Sequence, residues 1–330
     1  MCYTTNVRSI EGVLMKILIT GGKGFIGSKI VEMLCKDNHS ITVVDNEDNY
    51  NIMTNEQLRK LYEWRTRNWD QKKVSYIRGD ILDRLVCLKA FSYNPDIVIH
   101  LATYPRAKIV DADPIVGIPK VINTTTNLLW HCEKFGVKKI VYVSSSMVYG
   151  DFADGTKEDG KTKPKNIYGE AKLTGERMVK LFARRSGLTY NIVRPSGVYG
   201  PGDMPDRVVS KFFDKAMKGK DITLHNGANK VDFTYRQDAA RGIILSALSP
   251  VANVSFNITA GNASSLRTLA EKILKITGSD SDIVDIGNHE LYPMRGTLDI
   301  SRAKDLLGYQ PEFTLEQGLK SYYEWLKNKI

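Results

Sequence analysis

Thr20-Gly21-Gly22-Lys23-Gly24-Phe25-Ile26-Gly27, directly after the apolar run Ile17-Leu18-Ile19, decides how the rest of the chain is read. A short apolar run ending in glycines reads as a buried strand that turns at once into a helix. Glycine supplies the tight turn, lets backbone approach a pyrophosphate and lets the helix pack closely on the strand. Phosphates would then sit on the free N–H groups of the helix N-terminus. A second apolar run, Ser40-Ile41-Thr42-Val43-Val44, ends at Asp45, 18 residues after Gly27. An acid at that place is set to accept hydrogen bonds from an adenosine ribose. Turn and acid together imply a dinucleotide site.

Downstream the pattern alternates. Polar residues 46–54 lead to a charged helix through about Trp69, then a strand at 74–77 closed by Gly79-Asp80. A helix around 82–92, a strand at 96–100, a long helix around 114–136 and a strand at 140–143 follow. A helix at 168–186 and a strand at 190–193 complete the series. Strands alternating with helices imply right-handed crossovers and a doubly wound parallel sheet of Rossmann type, an α/β fold. Its ligands bind beyond the C-terminal strand ends. After Arg194-Pro195 the rhythm changes: Pro and Gly crowd into 195–205, and helices mix with short strands at 222–225 and 254–257. This divides the chain into a segment 1–14 that resembles no element and reads as an extension, a dinucleotide-binding domain at 15–195, and a smaller mixed α/β substrate lobe at 196–330. The helix near 237–250 is assigned to the first domain.

Composition narrows the classes. The 330 residues are 42% apolar and 25% charged, ordinary for a folded globular chain. No apolar stretch is long enough for a transmembrane helix, and the N-terminus lacks a secretory pattern. The four cysteines, Cys2, Cys35, Cys87 and Cys132, show no paired spacing. That speaks for a reducing, cytoplasmic setting and against a cysteine-based metal site. A net charge of +10 raises nucleic acid as a partner, but Lys and Arg are scattered among acids. The reading is a solvated surface, with no nucleic-acid or membrane partner.

Two further stretches lie where strand ends should carry chemistry: Ser144-Ser145-Ser146-Met147-Val148-Tyr149-Gly150 and Tyr168-Gly169-Glu170-Ala171-Lys172. Tyr and Lys at i, i+4 share a helix face. An ammonium beside a phenol stabilises the phenolate, which lets tyrosine act as a general base near neutral pH.

With residues 20–27, Val44-Asp45, Gly79-Asp80, His100-Leu101-Ala102, 123–127, 194–201 and Asp232-Phe233-Thr234-Tyr235, these motifs run in order from about residue 15 to the C-terminus. In that order they resemble the extended short-chain dehydrogenase/reductases of the NAD-dependent nucleotide-sugar epimerase/dehydratase family, UDP-glucose 4-epimerase-like in pattern. The resemblance implies NAD as cofactor and a nucleotide-sugar substrate. It makes Tyr168 the catalytic base, Ser145 its partner, and Lys172 the residue that holds the nicotinamide ribose and depresses the tyrosine pKa. It gives Gly21, Gly24, Phe25, Ile26 and Gly27 to the pyrophosphate turn, Asp45 and Asn46 to the adenosine ribose, and Asp80 and Ile81 to the adenine. His100, Leu101 and Ala102 line the cofactor, with His100 read as a packed strand-end residue. Asn123 is the helix asparagine, Ser146 lies beside the substrate, and Arg295 grips a nucleotide-sugar pyrophosphate. It also implies a homodimer built on the helices around 114–136 and 168–186.

Three departures from the pattern matter. Gly197 stands where many relatives carry Asn before Val198-Tyr199-Gly200-Pro201, and Val231 where many carry Arg before the Asp-Phe-Thr-Tyr motif. Ser146-Met147 replaces the Asp-Glu pair with which dehydratase relatives protonate a leaving hydroxyl. The sequence therefore points to epimerisation, with C4 as the centre and a transient keto-sugar between the two isomers. A ketosugar reductase using NAD(P)H is the alternative within the enzyme class, and a non-catalytic dinucleotide-sensing or RNA-binding protein the alternative outside it.

Overall fold

The computed structural model describes residues 14–48, 50–104, 107–287 and 293–328. The chain runs β1 (Lys16–Thr20), α1 (Phe25–Leu34), β2 (Ser40–Asp45), α2 (Asn55–Thr66), β3 (Val74–Arg78), α3 (Arg84–Phe91), β4 (Ile97–His100), α4 (Ala107–Ala112), α5 (Pro114–Lys134), β5 (Lys139–Val143), α6 (Ile167–Ser186) and β6 (Thr189–Pro195). It continues through α7 (Val208–Met217), β7 (Ile222–Leu224), β8 (Lys230–Val231), α8 (Arg236–Leu248), β9 (Val254–Ile258), β10 (Ser264–Ser265), α9 (Leu266–Thr277), β11 (Ile283–Asp285), α10 (Ser301–Leu307) and α11 (Leu315–Lys327).

Seven strands form one parallel sheet in the order β3-β2-β1-β4-β5-β6-β9. The order in which strands are added reverses between β1 and β4, so the crevice opens above their C-terminal ends. The strands are apolar on both faces because helices cover both. Ile17, Ile19, Val141 and Val193 pack with α1, α8 and α10 residues such as Ile30, Ala240 and Ala303. Leu18, Val98, Ile140 and Ile192 pack on the other face with Phe91, Leu128 and Val179 of α3, α5 and α6. A third core, centred on Phe213, Leu269 and Tyr322, holds α7, α9 and α11 around the short β7–β11 pair.

One strand is placed differently from the sequence reading. Residues 254–257 were grouped with the second lobe, yet β9 is the seventh strand of the main sheet, pairing Phe256 with Val193. The reason is burial: Phe256 and Ile258 complete the apolar core beside β6, where a half-polar edge strand of the small lobe would leave them exposed. The substrate segment is thus interleaved with the sheet. The helix surfaces also sort more sharply than composition suggested. Val121, Leu128 and Leu129 of α5 and Leu173, Val179 and Phe182 of α6 are buried within the chain, whereas Ile115, Val116, Ile118 and Leu181 are exposed.

Candidate active site

The glycine turn is built as its residues require. Gly21 donates its N–H to the Val44 carbonyl at 2.8 Å and has φ of +73°, with the place of a Cβ only 2.9 Å from Ala102 N. A Cβ on Gly27 would stand 2.2 Å from the Gly21 carbonyl oxygen. Any side chain at either position would fill the cradle. Helix α1 starts there at Phe25, after a Gly24 N-cap that has no side-chain cap, so its first-turn N–H groups keep their capacity for an anion.

Asp45 closes the neighbouring end of β2. Its carboxylate accepts from Lys23 N at 2.9 Å and Glu47 N at 2.8 Å. Burial pushes its pKa up against those two bonds. An ionised carboxylate has about four acceptor sites, so two remain for the two hydroxyls of a ribose. Asn46 donates to Asp80 at 3.2 Å, and Lys120 on α5 pairs with the same carboxylate. Burial works against ionisation of Asp80, but the Leu82 N–H and Lys120 outweigh it and hold its pKa down.

Gly21, Gly24, Phe25, Ile26, Gly27, Asp45, Asn46, Asp80, Ile81, Leu101 and Ala102 all line one cleft. NAD fits this arrangement: a side-chain-free turn against an uncapped helix start, then a carboxylate with two acceptor sites to spare. Ser145, Tyr168, Lys172 and Arg295 are not part of that lining. Tyr168 is 7% exposed and packs with Val110, Val121 and Ala171; Tyr104, partly buried in the same cluster, reaches the cleft. Arg295 lies on a segment bridged to Phe152.

Asn166 caps α6 by accepting from Gly169 N at 2.8 Å, and Tyr168 N donates to Asp111 Oδ1 at 3.2 Å. Burial pushes the Tyr168 phenol up to about 12; the Arg207 charge and the hydrogen-bonded Ser145 hydroxyl pull in the other direction. Ser145 Oγ also accepts from Met147 N at 3.2 Å at the start of the 3₁₀ turn Ser146–Tyr149. Ser146 itself is buried. Lys172 sends its ammonium to the Val143 carbonyl at 2.9 Å and lies over the Tyr142 ring. Burial pulls Lys172 down to about 7, with Glu176 opposing.

Below this pair lies a buried ionic cluster. Arg194 forks onto Glu176, Nε to Oε1 at 2.9 Å and Nη2 to Oε2 at 2.7 Å, while Nη1 reaches the Tyr149 hydroxyl and the Glu158 carbonyl. Ser144 Oγ donates to Glu176 at 2.6 Å. His100 bridges Thr20 Oγ1 at 2.7 Å and Thr125 Oγ1 at 3.2 Å; burial, helped by the Lys172 charge, lowers its pKa to about 3. It is a neutral packing residue.

Some assignments move. Asn123 is exposed on α5, and Asn127, one turn later, reaches inward to donate to the Ile81 carbonyl at 2.6 Å. The two departures at 197 and 231 meet in space: a Cβ on Gly197, whose φ is +47°, would lie 2.5 Å from Val231 Cγ1. Valine occupies the room that an asparagine side chain would need.

Residues that sequence reasoning missed also line the cleft, among them Arg65, Lys120, Asp203, Met204 and Arg207. Arg65 donates Nε and Nη2 to the Gly202 carbonyl at 2.9 and 2.7 Å and Nη1 to the Lys23 carbonyl at 3.2 Å. Arg236 donates Nε to the Phe25 carbonyl at 2.5 Å, Nη1 to the Pro201 carbonyl at 3.1 Å and Nη2 to Ser28 Oγ at 2.7 Å. Two buried arginines therefore strap loop 200–204 onto the glycine turn. Among the described residues no cluster of three His, Cys, Asp or Glu side chains could hold a metal ion, and no helix is long and apolar enough to cross a membrane.

Comparison with known proteins gives a consistent picture. The model of the NAD dependent epimerase/dehydratase family matches residues 17–259. A UDP-glucuronate 4-epimerase of Thermodesulfobacterium geofontis is 31% identical over 319 residues, 95% of this chain and 96% of that protein. Among solved structures, UDP-glucose 4-epimerase of Thermotoga maritima with UDP-glucose superposes with a TM-score of 0.86 at 29% identity, covering 96% of this chain and 99% of the other. UDP-glucuronic acid 4-epimerase of Bacillus cereus, in complex with UDP-glucuronic acid and NAD, gives 0.87 at 27% identity, covering 96% and 100%.

Proposed function

The chain belongs to the NAD-dependent epimerase/dehydratase family, and from that premise we propose that it epimerises a nucleotide-activated sugar at C4 with NAD held in the glycine-turn cleft. The observation that carries the reading is the pair near the start of α6, with Tyr168 one helical turn before Lys172, whose ammonium is held at 2.9 Å by the Val143 carbonyl at the end of β5. When bound, NAD accepts a hydride from the sugar carbon and gives it back to the opposite face.

The chain's own residues do the rest. Tyr168 takes the proton from the C4 hydroxyl and returns it, and Ser145 holds that hydroxyl in line. Burial makes the phenolate costly, and the nearby Arg207 charge reduces that cost. Lys172, fixed by the Val143 carbonyl, presents its remaining N–H donors to the nicotinamide ribose. Asp45 selects NAD by accepting from both ribose hydroxyls and repelling a 2′-phosphate. Arg295 grips the pyrophosphate of the substrate. Ser146-Met147 offers no acid to a leaving hydroxyl, so the keto-sugar is reduced rather than dehydrated. Incubation with NAD⁺ and a panel of nucleotide sugars, followed by NMR, tests this: new C4 isomers without net NADH formation are expected, and stoichiometric consumption of NADH in a parallel incubation supplied with NADH, with no new isomer under NAD⁺, would refute it.

The active form is proposed to be a homodimer through α5 and α6. Ile115 is 87% and Leu181 55% exposed, with Val116 and Ile118 alongside the former, an apolar surface that a second copy would cover. Sedimentation at micromolar concentration is expected to show a dimer; a monomer refutes it.

A further inference from the structure

Two arginines are buried beside the glycine turn without a carboxylate to pair with. Arg65 of α2 is 3% and Arg236 of α8 is 5% exposed, and neither makes an ion pair among the described residues. Their donors go to the carbonyls of Lys23 and Gly202, to those of Phe25 and Pro201, and to the Ser28 hydroxyl. Neutral acceptors do not offset the loss of water around a full charge, which is why buried cations ordinarily have an anion. The two differ in one respect: Arg65 lines the cleft with Gly21, Gly24, Gly27 and Asp45, and Arg236 does not. Arg65 Nε and Nη2 fork onto the Gly202 carbonyl at 2.9 and 2.7 Å, and Nη1 reaches the Lys23 carbonyl at 3.2 Å. A guanidinium has five N–H donors, so one on Nη1 and one on Nη2 are left over. Lys23 belongs to the turn itself, and its own N–H is bound to Asp45. The guanidinium is thus held at the turn from both sides, by residue 23 and by residue 202.

Resting on the placement of NAD in this cleft, we infer that Arg65 is a cofactor-binding residue whose two remaining N–H groups donate to the dinucleotide pyrophosphate, the counter-anion that its burial calls for. Arg236 is a positioning residue. It hangs from the Pro201 carbonyl, one peptide before Gly202, and from the Phe25 carbonyl at the start of α1, so it seats the loop against which Arg65 rests. A pyrophosphate carries two negative charges, one for each buried guanidinium. Its oxygens suit the planar fork of an arginine, and a fork already fixed by two carbonyls loses little side-chain freedom when the anion arrives. Loop 200–204 thereby becomes one wall of the cofactor site, although it lies far along the chain from the glycine turn.

Calorimetric titration of the dinucleotide-free protein with NAD⁺, followed by displacement of NAD⁺ with ADP and with adenosine, tests this. The readout is the ratio of ADP to adenosine affinity, because adenosine keeps the Asp45 contacts and lacks the phosphates. Arg65→Met is expected to lower that ratio at least about tenfold and to weaken NAD⁺ by a similar factor, and Arg65→Lys to restore part of it. Arg236→Met removes the other strap on the same loop without changing the cleft lining, and is expected to keep the ratio within roughly twofold of wild type. The ratio is internal to each protein, so partial loss of folded material does not move it, and Arg65→Gln serves if the methionine variant does not fold. Equal weakening of ADP and adenosine by Arg65→Met overturns the inference, since that marks a strap without a phosphate contact. An equal fall of the ratio in Arg236→Met overturns it too. In a parallel titration with UDP, a loss confined to UDP does the same, because the anion would then belong to the sugar nucleotide. A wild-type ratio near one sinks the Arg65 assignment alone; failure of NAD⁺ to bind sinks the cleft reading with it.

Discussion

Glu176→Gln is expected to be among the most destabilising single-atom changes available in this chain. The Glu176 and Arg194 side chains are 1% and 4% exposed, and the substitution keeps shape while removing the charge. Glutamine can still accept one bond at Oε1, but its amide nitrogen then faces the Arg194 Nη2 donor that now lies 2.7 Å from Oε2. One charge-assisted bond is lost, worth about 1.5–3 kcal/mol. Arg194 is still tied to Tyr149 and the Glu158 carbonyl, so it cannot swing to water and stays buried without its counter-charge. Breaking such a pair costs about 3–5 kcal/mol in all. At roughly 2 °C per kcal/mol for a chain of this size, the melting temperature falls by about 6–10 °C. Urea unfolding followed by tryptophan fluorescence, alongside scanning calorimetry, measures it. Replacing both partners by apolar residues, Glu176→Leu with Arg194→Met, is expected to recover more than half of the loss. A drop under 1 kcal/mol in the single variant refutes the reasoning, because Arg194 would then have found another anion.

Other expectations are more local. Tyr168→Phe deletes one hydroxyl and keeps the packing of its cluster, so NAD binding and the melting temperature stay near wild type while turnover falls at least a hundredfold; epimerisation within threefold of wild type would remove Tyr168 from its role. Asp45→Ala is expected to weaken NAD binding by about 1–3 kcal/mol, and NADP⁺ binding tighter than NAD⁺ in the wild type would contradict the carboxylate's part. His100 has a folded pKa of about 3 against about 6.5 unfolded. Below 6.5 the unfolded chain binds the extra proton, so this contribution is complete above pH 6.5 and is lost as pH falls toward 3. Its slope is at most about 1.4 kcal/mol per pH unit. Denaturation at pH 4.5, 5.5 and 6.5 is expected to show a shallower slope in His100→Gln, and parallel slopes would count against it.

What could be read in the sequence was what is written locally. The glycine turn, Asp45 at the end of the next strand, and Tyr168 with Lys172 at i, i+4 each lie within a few residues of the element that positions them. The groups that sequence reasoning missed act across the chain. Arg236 meets Phe25 at a separation of 211 residues and Arg65 meets Gly202 at 137, and no spacing announces either. Arg207 fails for the same reason: its setting comes from a loop strapped down by those two arginines. The face of α5 on which each asparagine falls was not legible either: Asn123 is exposed, whereas the half-buried Asn127 donates to the Ile81 carbonyl. β9 misled because parallel pairing needs no short turn to signal it. The coupling of Gly197 to Val231 shows that two departures from the pattern, separate in sequence, are a single packing change.

The late arrival of β9 bears on how the chain is made. Strand β6 ends at Pro195 and its neighbour β9 at Ile258, so during synthesis at about 5–20 residues per second the edge of β6 waits roughly 3–13 s for its partner. Helix α8, which covers the same region of the sheet, also emerges within that interval. Until then the nascent sheet presents an unpaired edge and an uncovered apolar face to the ribosome exit and to other nascent chains. A gene fragment ending near residue 195 freezes the polypeptide in that condition. Such a fragment is expected to form inclusion bodies, while a cut placed after β9 leaves the sheet complete.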